Sequence, residues 1–453
     1  VTATMDPARL EQVLAEEEER YRRRTPRSAE LAVEGRRSLA GGVPLHWMGN
    51  WPTPYPLFMG GAAGAQVTDV DGHEYVDLCL GDTGAMFGHA HPAVREAMIR
   101  HARRGATAML PTADGNAVGR LLQERFGLPL WQLATSATDA NRFAIRMCRL
   151  ATGRDKVLVF AGKYHGSVDE THVVDVNGRL EPQPGVSRNA VDFDRVSAVV
   201  EFNDVDALEK ALAGGDVACV LAEPAMTNIG IVPAVDGYHD ALRELTRAAG
   251  TKLIIDETHT ISTGPGGYTR AHDLDPDVFV LGKAIAGGIP AAVYGMTEEM
   301  AGTLTDYTRK ENHGSSHGGF GGTLVGNALT LHVMRTVLEE VMTPAAYDHM
   351  IGLASRCEAG VQEVIARHDL GWHVTRLGAR CEYLFAPSVP RNGGEAKAAR
   401  NPLLNATLHL FLLNRGVLLT PFHSMVLMCP ATTAADVDRH TAALDEFVGT
   451  VLA

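Results

Sequence analysis

Along the chain the hydrophobic pattern changes period several times. Residues 8–24 place apolar side chains at helical spacing among the acidic run 16–19 and Arg20, Arg22, Arg23 and Arg24, and predict a charged amphipathic helix with a solvated face. Segment 41–56, GGVPLHWMGNWPTPYP, holds four prolines and three glycines, which exclude regular structure over most of its length. It also carries Trp47 and Trp51, so it is either a loop packed on the core by its aromatics or a loop that walls a pocket. Residues 66–80 alternate around Asp71-Gly72 and predict a hairpin. Beyond them, helix-like stretches at 93–103, 117–126 and 139–151 alternate with short β-branched runs at 157–160, 198–202, 217–222, 253–255 and 278–281. Apolar runs this brief and this unalternating predict strands buried on both faces of a parallel sheet. Leu242, Leu245 and Ala249 then fall on one helical face between two of them.

Strand and helix in alternation predict an α/β doubly wound, mainly parallel domain over 71–334. After Asn327 a helical pattern runs to about 367, followed by strand-like 381–385 and 426–429. The expected organisation is an N-terminal helix, pocket loop and part of a small domain over 1–70, the large domain over 71–334, and the rest of a small α+β domain over 335–453. No internal repeat or low-complexity linker interrupts the chain.

Charge narrows the function classes. With 54 acidic against 41 basic side chains the net charge is -13, which repels a polyphosphate backbone and argues against nucleic-acid partners. No apolar run approaches the ~20 residues of a membrane span, and the polar N-terminus has no signal-peptide core. Cys79, Cys148, Cys219, Cys357, Cys381 and Cys429 form no CxxC pair and sit in apolar surroundings, which points to free thiols in a reducing cytoplasm and to no metal.

Four segments carry candidate chemistry. The run 253–257, LIIDE, is an apolar strand ending in Asp256; an acid there either meets a ligand beyond the strand's carboxyl end or caps a helix. The run 278–283, VFVLGK, ends a second strand in Lys283, followed by small residues that admit a ligand. A desolvated lysine there is a usable nucleophile for Schiff-base chemistry. A phosphate loop is excluded, because neither the earlier glycine nor the following hydroxyl is present. Segment 134–141, ATSATDAN, clusters hydroxyls at a helix start, which serves as a cap or as an anion site. Segment 157–166, VLVFAGKYHG, delivers an aromatic, Tyr164, and a histidine, His165, between glycines, with the tyrosine as a buried turn residue or as a surface stacked on a flat ligand. A reactive lysine, an acid, an anion cradle and an aromatic surface together suit pyridoxal 5'-phosphate (PLP).

At these residues the sequence resembles the class III aminotransferases of PLP fold type I. The matching segments are GHAHP at 88–92, TSATDAN at 135–141, GKYHG at 162–166, AEP at 222–224, LIIDET at 253–258, FVLGKAIAGG at 279–288 and GGTLVGN at 321–327. The resemblance covers roughly 40–450. GGV at 41–43 and TPYP at 53–56 bring it nearest the glutamate-1-semialdehyde aminomutase and β-amino-acid aminotransferase branch.

The resemblance implies that Lys283 carries the cofactor as a Schiff base and then acts as the base for a proton shift, while Asp256 pairs with the pyridine nitrogen. It implies that Tyr164 covers one ring face and Thr258 the other, where the family usually has Val. Ser136, Ala137 and Thr138 match its phosphate loop, with Ala137 in place of a usual Gly, and Glu223 lies near the phenolic oxygen. Thr323 matches a residue that reaches the neighbouring subunit's cofactor, which implies a homodimer with shared sites.

Trp47 and Phe422 stand where β-amino-acid enzymes of the family carry carboxylate-binding arginines, so an apolar substrate pocket is expected. The expected reaction is therefore transfer of an amino group between a bulky or aryl primary amine and a keto acid or ketone. The alternative is a β-amino-acid aminotransferase or glutamate-1-semialdehyde-type aminomutase whose carboxylate partner is Arg380 or Arg270. A non-catalytic PLP-binding subunit is the third reading, and the joint presence of Lys283 and Asp256 speaks against it.

Overall fold

The computed structural model describes residues 5–311 and 319–453, the side chains of 307–311 excepted. The chain divides into two compact units: Val1–His91 with Ala345–Val389 and Ala398–Ala453, and Pro92–Pro344 with Pro390–Lys397.

The second unit is built on a seven-stranded sheet. Its strands are β1 (Leu130–Ala134), β2 (Lys156–Phe160), β3 (Ser197–Val200), β4 (Val217–Ala222), β5 (Lys252–Asp256), β6 (Val278–Leu281) and β7 (Ala292–Met296), in the order β1-β7-β6-β5-β4-β2-β3. β7 runs antiparallel to both its neighbours, and the remaining pairs are parallel. The doubly wound α/β class expected from the sequence is the one observed.

Alternate residues of each central strand enter different cores. Val157, Val159, Cys219, Leu221 and Ile254 pack with Phe143, Ala144 and Met147 of the helix Ala137–Thr152. Leu158, Phe160, Val220, Ala222, Leu253 and Ile255 pack with Leu208, Tyr238 and Leu242 on the opposite face. Both faces being covered, no position in β4 is polar or exposed, which is why hydrophobic alternation is missing there. Each such fully buried aliphatic side chain contributes roughly 1.5–3 kcal/mol.

β1 and β7 are not among the runs picked out by apolar composition. β1 alternates in exposure at the sheet edge, and the apolar run of β7 is interrupted in composition by Gly295, where an added Cβ would meet the Trp131 ring at 2.7 Å.

In the first unit the helix Pro7–Arg24 buries Leu10, Val13, Glu17 and Tyr21 and packs along Pro402–Asn414. Asn414 donates to Glu17 Oε2 at 2.7 Å, and Arg415 pairs with Glu17 Oε1 at 3.0 Å, so the one buried acid of that stripe is satisfied. The hairpin Gln66–Asp69/Glu74–Asp77 turns at Gly72, and Glu74–Asp77 pairs in parallel with Val417–Leu418. A three-stranded sheet joins His373–Leu377, Arg380–Leu384 and Met425–Leu427. All six cysteines are buried free thiols. No helix among the described residues is long and apolar enough to cross a membrane.

Candidate active site

The carboxyl ends of β2, β4, β5 and β6 carry the polar side chains that the apolar strands exclude. Asp256 closes β5 and is 4% exposed. Its Oδ2 accepts from Asn141 Nδ2 at 2.8 Å and lies 2.9 Å from His165 Nδ1, and its Oδ1 accepts from the Thr258 amide at 3.1 Å. Burial alone would raise this carboxyl, but the hydrogen bond and charge of His165, with Thr258 and Asn141, bring it down to about 2. Asp256 is thus a fixed anion.

The neighbouring Glu257 shows the opposite balance. It is fully buried, and although Thr260 and the Tyr268 and Thr269 amides donate to it, burial prevails and its carboxyl is raised. Glu223, at the end of β4, is likewise raised by burial, against His165 and the donors Thr227 and Asn228. In both cases burial outweighs the donors that hold the carboxyl.

β5 and β6 are paired in parallel with Asp256 opposite Val280, which brings their ends together. The Gly282 amide donates to Thr258 Oγ1 at 3.3 Å. Lys283 follows with φ 50°, in the left-handed region, which costs a residue with a Cβ roughly 1–3 kcal/mol and marks a turn enforced by its surroundings. Its Nζ lies 2.9 Å from His259 Nε2.

The helix Ala137–Thr152 starts at this same place. Ser136 is its N-cap, accepting from the Asp139 amide at 3.3 Å, and Thr138 Oγ1 accepts from the Ser167 amide at 3.1 Å. Gly166, at φ 80°, lies so close to Thr138 that a Cβ would fall 2.1 Å from Oγ1, so only glycine fits. A Cβ on Gly282 would fall 2.9 Å from the Ala137 Cβ. Ala137 is the first helical residue and is not among those with positive φ, so its methyl is accommodated.

Tyr164 is half-buried, with its ring edge-on to His172 at 5.9 Å. His172 is held in turn by the Gly166 carbonyl at 3.0 Å and Gln183 at 3.1 Å. Lys163 beside it is buried, donates to the Val173 carbonyl, and is pushed down to about 7 by burial.

The structure therefore brings Asp256, Thr258, Lys283, Ala137, Thr138 and the 164–166 turn together, with Glu223 beside Asp256 and His165. Thr323 is exposed and is not joined to this group within the chain. Trp47 and Phe422 belong to the other unit, where their rings meet edge to face at 5.6 Å and 72°. Arg380 is fully buried there and donates to Thr83 Oγ1 at 2.8 Å, whereas Arg270 is exposed on its short helix. The sequence places His165 between glycines without giving it a role, and singles out neither Asn141, which lies inside a quoted motif, nor His259, which follows Thr258 directly.

The geometry fits a flat cationic heterocycle bearing a phosphate. Asp256 is a permanent buried anion, the N-terminal end of the helix Ala137–Thr152 reaches it through Asn141, and His165 Nε2 and Asn141 Oδ1 are buried beside Asp256 without hydrogen-bond partners. Such orphaned polar atoms are costly unless a ligand orders the site.

The family model for class-III aminotransferases matches residues 47–450. The glutamate-1-semialdehyde 2,1-aminomutase of Methanothermobacter thermautotrophicus is 32% identical over 405 residues, covering 88% of this chain and 93% of that protein. The crystal structure of a glutamate-1-semialdehyde-aminomutase from Pseudomonas aeruginosa PAO1 superposes with a TM-score of 0.96 at 56% identity, covering 99% of each chain. A lysine-to-alanine variant from the same organism, in complex with PMP, matches equally well. A β-phenylalanine aminotransferase from Variovorax paradoxus gives a TM-score of 0.85 at 27% identity, covering 97% of each chain.

Proposed function

From the premise that this chain belongs to the class-III aminotransferases and is a PLP-dependent enzyme, we propose that it moves an amino group within one substrate, between adjacent carbons of a glutamate-1-semialdehyde-type amino aldehyde. The observation that carries this reading is the 56% identity over 99% of the chain to a structure of that description. It favours the aminomutase alternative over the bulky-amine transaminase that the apolar residues Trp47 and Phe422 suggested.

When bound, PLP supplies an aldehyde that takes up an amino group and a ring that draws electrons from the adjacent carbon. The chain's own residues do the rest. Asp256, anionic at any working pH, keeps a proton on the ring nitrogen and so holds the ring cationic. Glu223, held by Thr227 and Asn228 beside His165 and Asp256, would face the phenolic oxygen side of the ring. The helix start at Ser136–Thr138 offers free amides and the positive end of a dipole to a phosphate. Lys283 holds the cofactor and returns as the base that moves a proton between carbons. An exposed Thr323 beside Leu324, itself 62% exposed, supports a homodimer in which this segment meets a second copy.

The test is to give the holoenzyme glutamate-1-semialdehyde alone and look for the isomer in which amine and carbonyl have exchanged carbons. No second amine or keto acid should be needed. Absence of that isomer, with transfer from 1-phenylethylamine to pyruvate instead, would establish the second reading, which the Trp47–Phe422 pair favours.

A further inference from the structure

We propose that His259 is the positioning residue and proton acceptor of Lys283. The inference rests on Lys283 being the lysine that holds the cofactor, and it goes beyond that reading by assigning how the lysine becomes competent to do so.

His259 Nε2 lies 2.9 Å from Lys283 Nζ, a hydrogen-bond distance. His259 is 7% exposed, so bulk water has little access to its ring. Its backbone is fixed on one side by Thr258, whose amide donates to Asp256 and whose hydroxyl accepts from Gly282. On the other side Thr260 donates to Glu257 at 2.5 Å. Lys283 is fixed by the same two strands. The imidazole and the amine are therefore presented to each other by the pairing of β5 and β6.

The acids of the surrounding elements are held by other groups. Asp256 is taken by Asn141, His165 and Thr258, and Glu257 by Thr260, Tyr268 and Thr269. Asp139 is held by Thr135 and Ser136, and Glu223 by Thr227 and Asn228. These contacts aim the nearby carboxylates at other donors, while His259 is aimed at Nζ.

The chemistry requires such a group. A lysine amine free of the cofactor carries three protons on Nζ and has no lone pair to offer. To attach the aldehyde it must first lose one proton, which passes to Nε2 of His259, whose own ring proton then sits on Nδ1. Nζ bonds to the aldehyde carbon, and the aldehyde oxygen leaves as water with the two remaining amine protons. On release the proton returns from Nε2 to Nζ. The same exchange prepares Lys283 to act as a base between attachment and release, so His259 acts through Lys283.

The test follows attachment itself. Cofactor-free full-length protein is mixed with PLP, and the rise of its visible absorption band is timed. His259→Ala should slow the rise by about 100-fold, the scale of a lost acid–base partner, while the final band matches that of the native protein. Imidazole added to the buffer should restore part of the rate. His259→Gln packs differently and can hydrogen-bond but cannot take up a proton; it should stay slow. In turnover, kcat should fall in both variants with KM little changed.

A rise at the native rate in His259→Ala, or full recovery in His259→Gln, overturns the proposal. Borohydride reduction and peptide mapping of each holoprotein keep the two claims apart. Cofactor found on a lysine other than Lys283 overturns the reading of Lys283 itself. Cofactor on Lys283 with unchanged kinetics overturns only the role of His259.

Discussion

Asp256 and Glu382 are both buried acids, one at the end of β5 in the larger unit and one in the strand Arg380–Leu384 of the other. Asp256 is gripped on both oxygens by donors from three places in the chain, Asn141, His165 and Thr258. Glu382, 1% exposed, is held by His423 at 2.8 Å on Oε1, and its Oε2 is buried without a hydrogen-bond partner. Nearby His409 is fully buried, both its ring nitrogens are unpartnered, and burial and His423 push it down to about 3. The difference teaches where charge has been built in. At Asp256 the fold supplies enough donors to keep an anion in a dry place, so the group is a permanent charge. At Glu382 the acid itself is left half-satisfied, so the charge there carries a desolvation cost that the doubly gripped Asp256 does not.

Removing the chemistry on the Asp256 side should have the largest effect. Lys283→Ala is expected to lower turnover by more than ~10³-fold and abolish the visible band of the attached cofactor. Wild-type turnover in that variant would remove Lys283 from the centre of the site. Asp256→Asn comes next: it keeps the shape but discharges the anion, and should cost ~10²–10³-fold in kcat with the fold intact. A loss below about tenfold would mean that the donors around Asp256 serve structure alone.

The same acid predicts an asymmetric response to pH. Its folded value of about 2 lies below the ordinary carboxylate value of ~3.9. Its contribution is present above about pH 4 and is lost as pH falls through about 2, a difference on the order of 2–3 kcal/mol. Denaturant midpoints of native protein and Asp256→Asn at about pH 6 should therefore differ by more than those at about pH 2.5, and parallel curves would show that His165 and Asn141 do not stabilise the charge.

A smaller effect is expected from Trp47→Arg, which adds a cation to the Trp47–Phe422 pair. It should raise kcat/KM for β-phenylalanine relative to 1-phenylethylamine by about tenfold, the worth of one charge-assisted contact. An unchanged ratio would take Trp47 out of substrate choice. The smallest change belongs to Glu382→Gln, which keeps an acceptor for His423 while discharging the half-satisfied acid. Thermal unfolding should move by less than about 1 kcal/mol equivalent. A large destabilisation would show that Glu382 is as well compensated as Asp256.

The sequence by itself determined the strand ends and what stands on them. Apolar runs without alternation announce strands covered on both faces, and a charged residue closing such a run has nowhere to point but the sheet's carboxyl edge; this makes Asp256 and Lys283 legible. Glycine at 166 was legible as a breaker, but its reason, the approach of Thr138, needed the fold. Only the tertiary structure decided the partners. Asn141 and His165 reach Asp256 from 115 and 91 residues away, and Arg380 meets Thr83 across 297. His259 faces Lys283 because β5 and β6 are neighbours in a particular register. Local pattern reports what each residue must bury, because burial depends on period and composition alone. Which two polar groups then satisfy each other depends on strand order and helix placement, and those emerge only when the whole sheet is assembled.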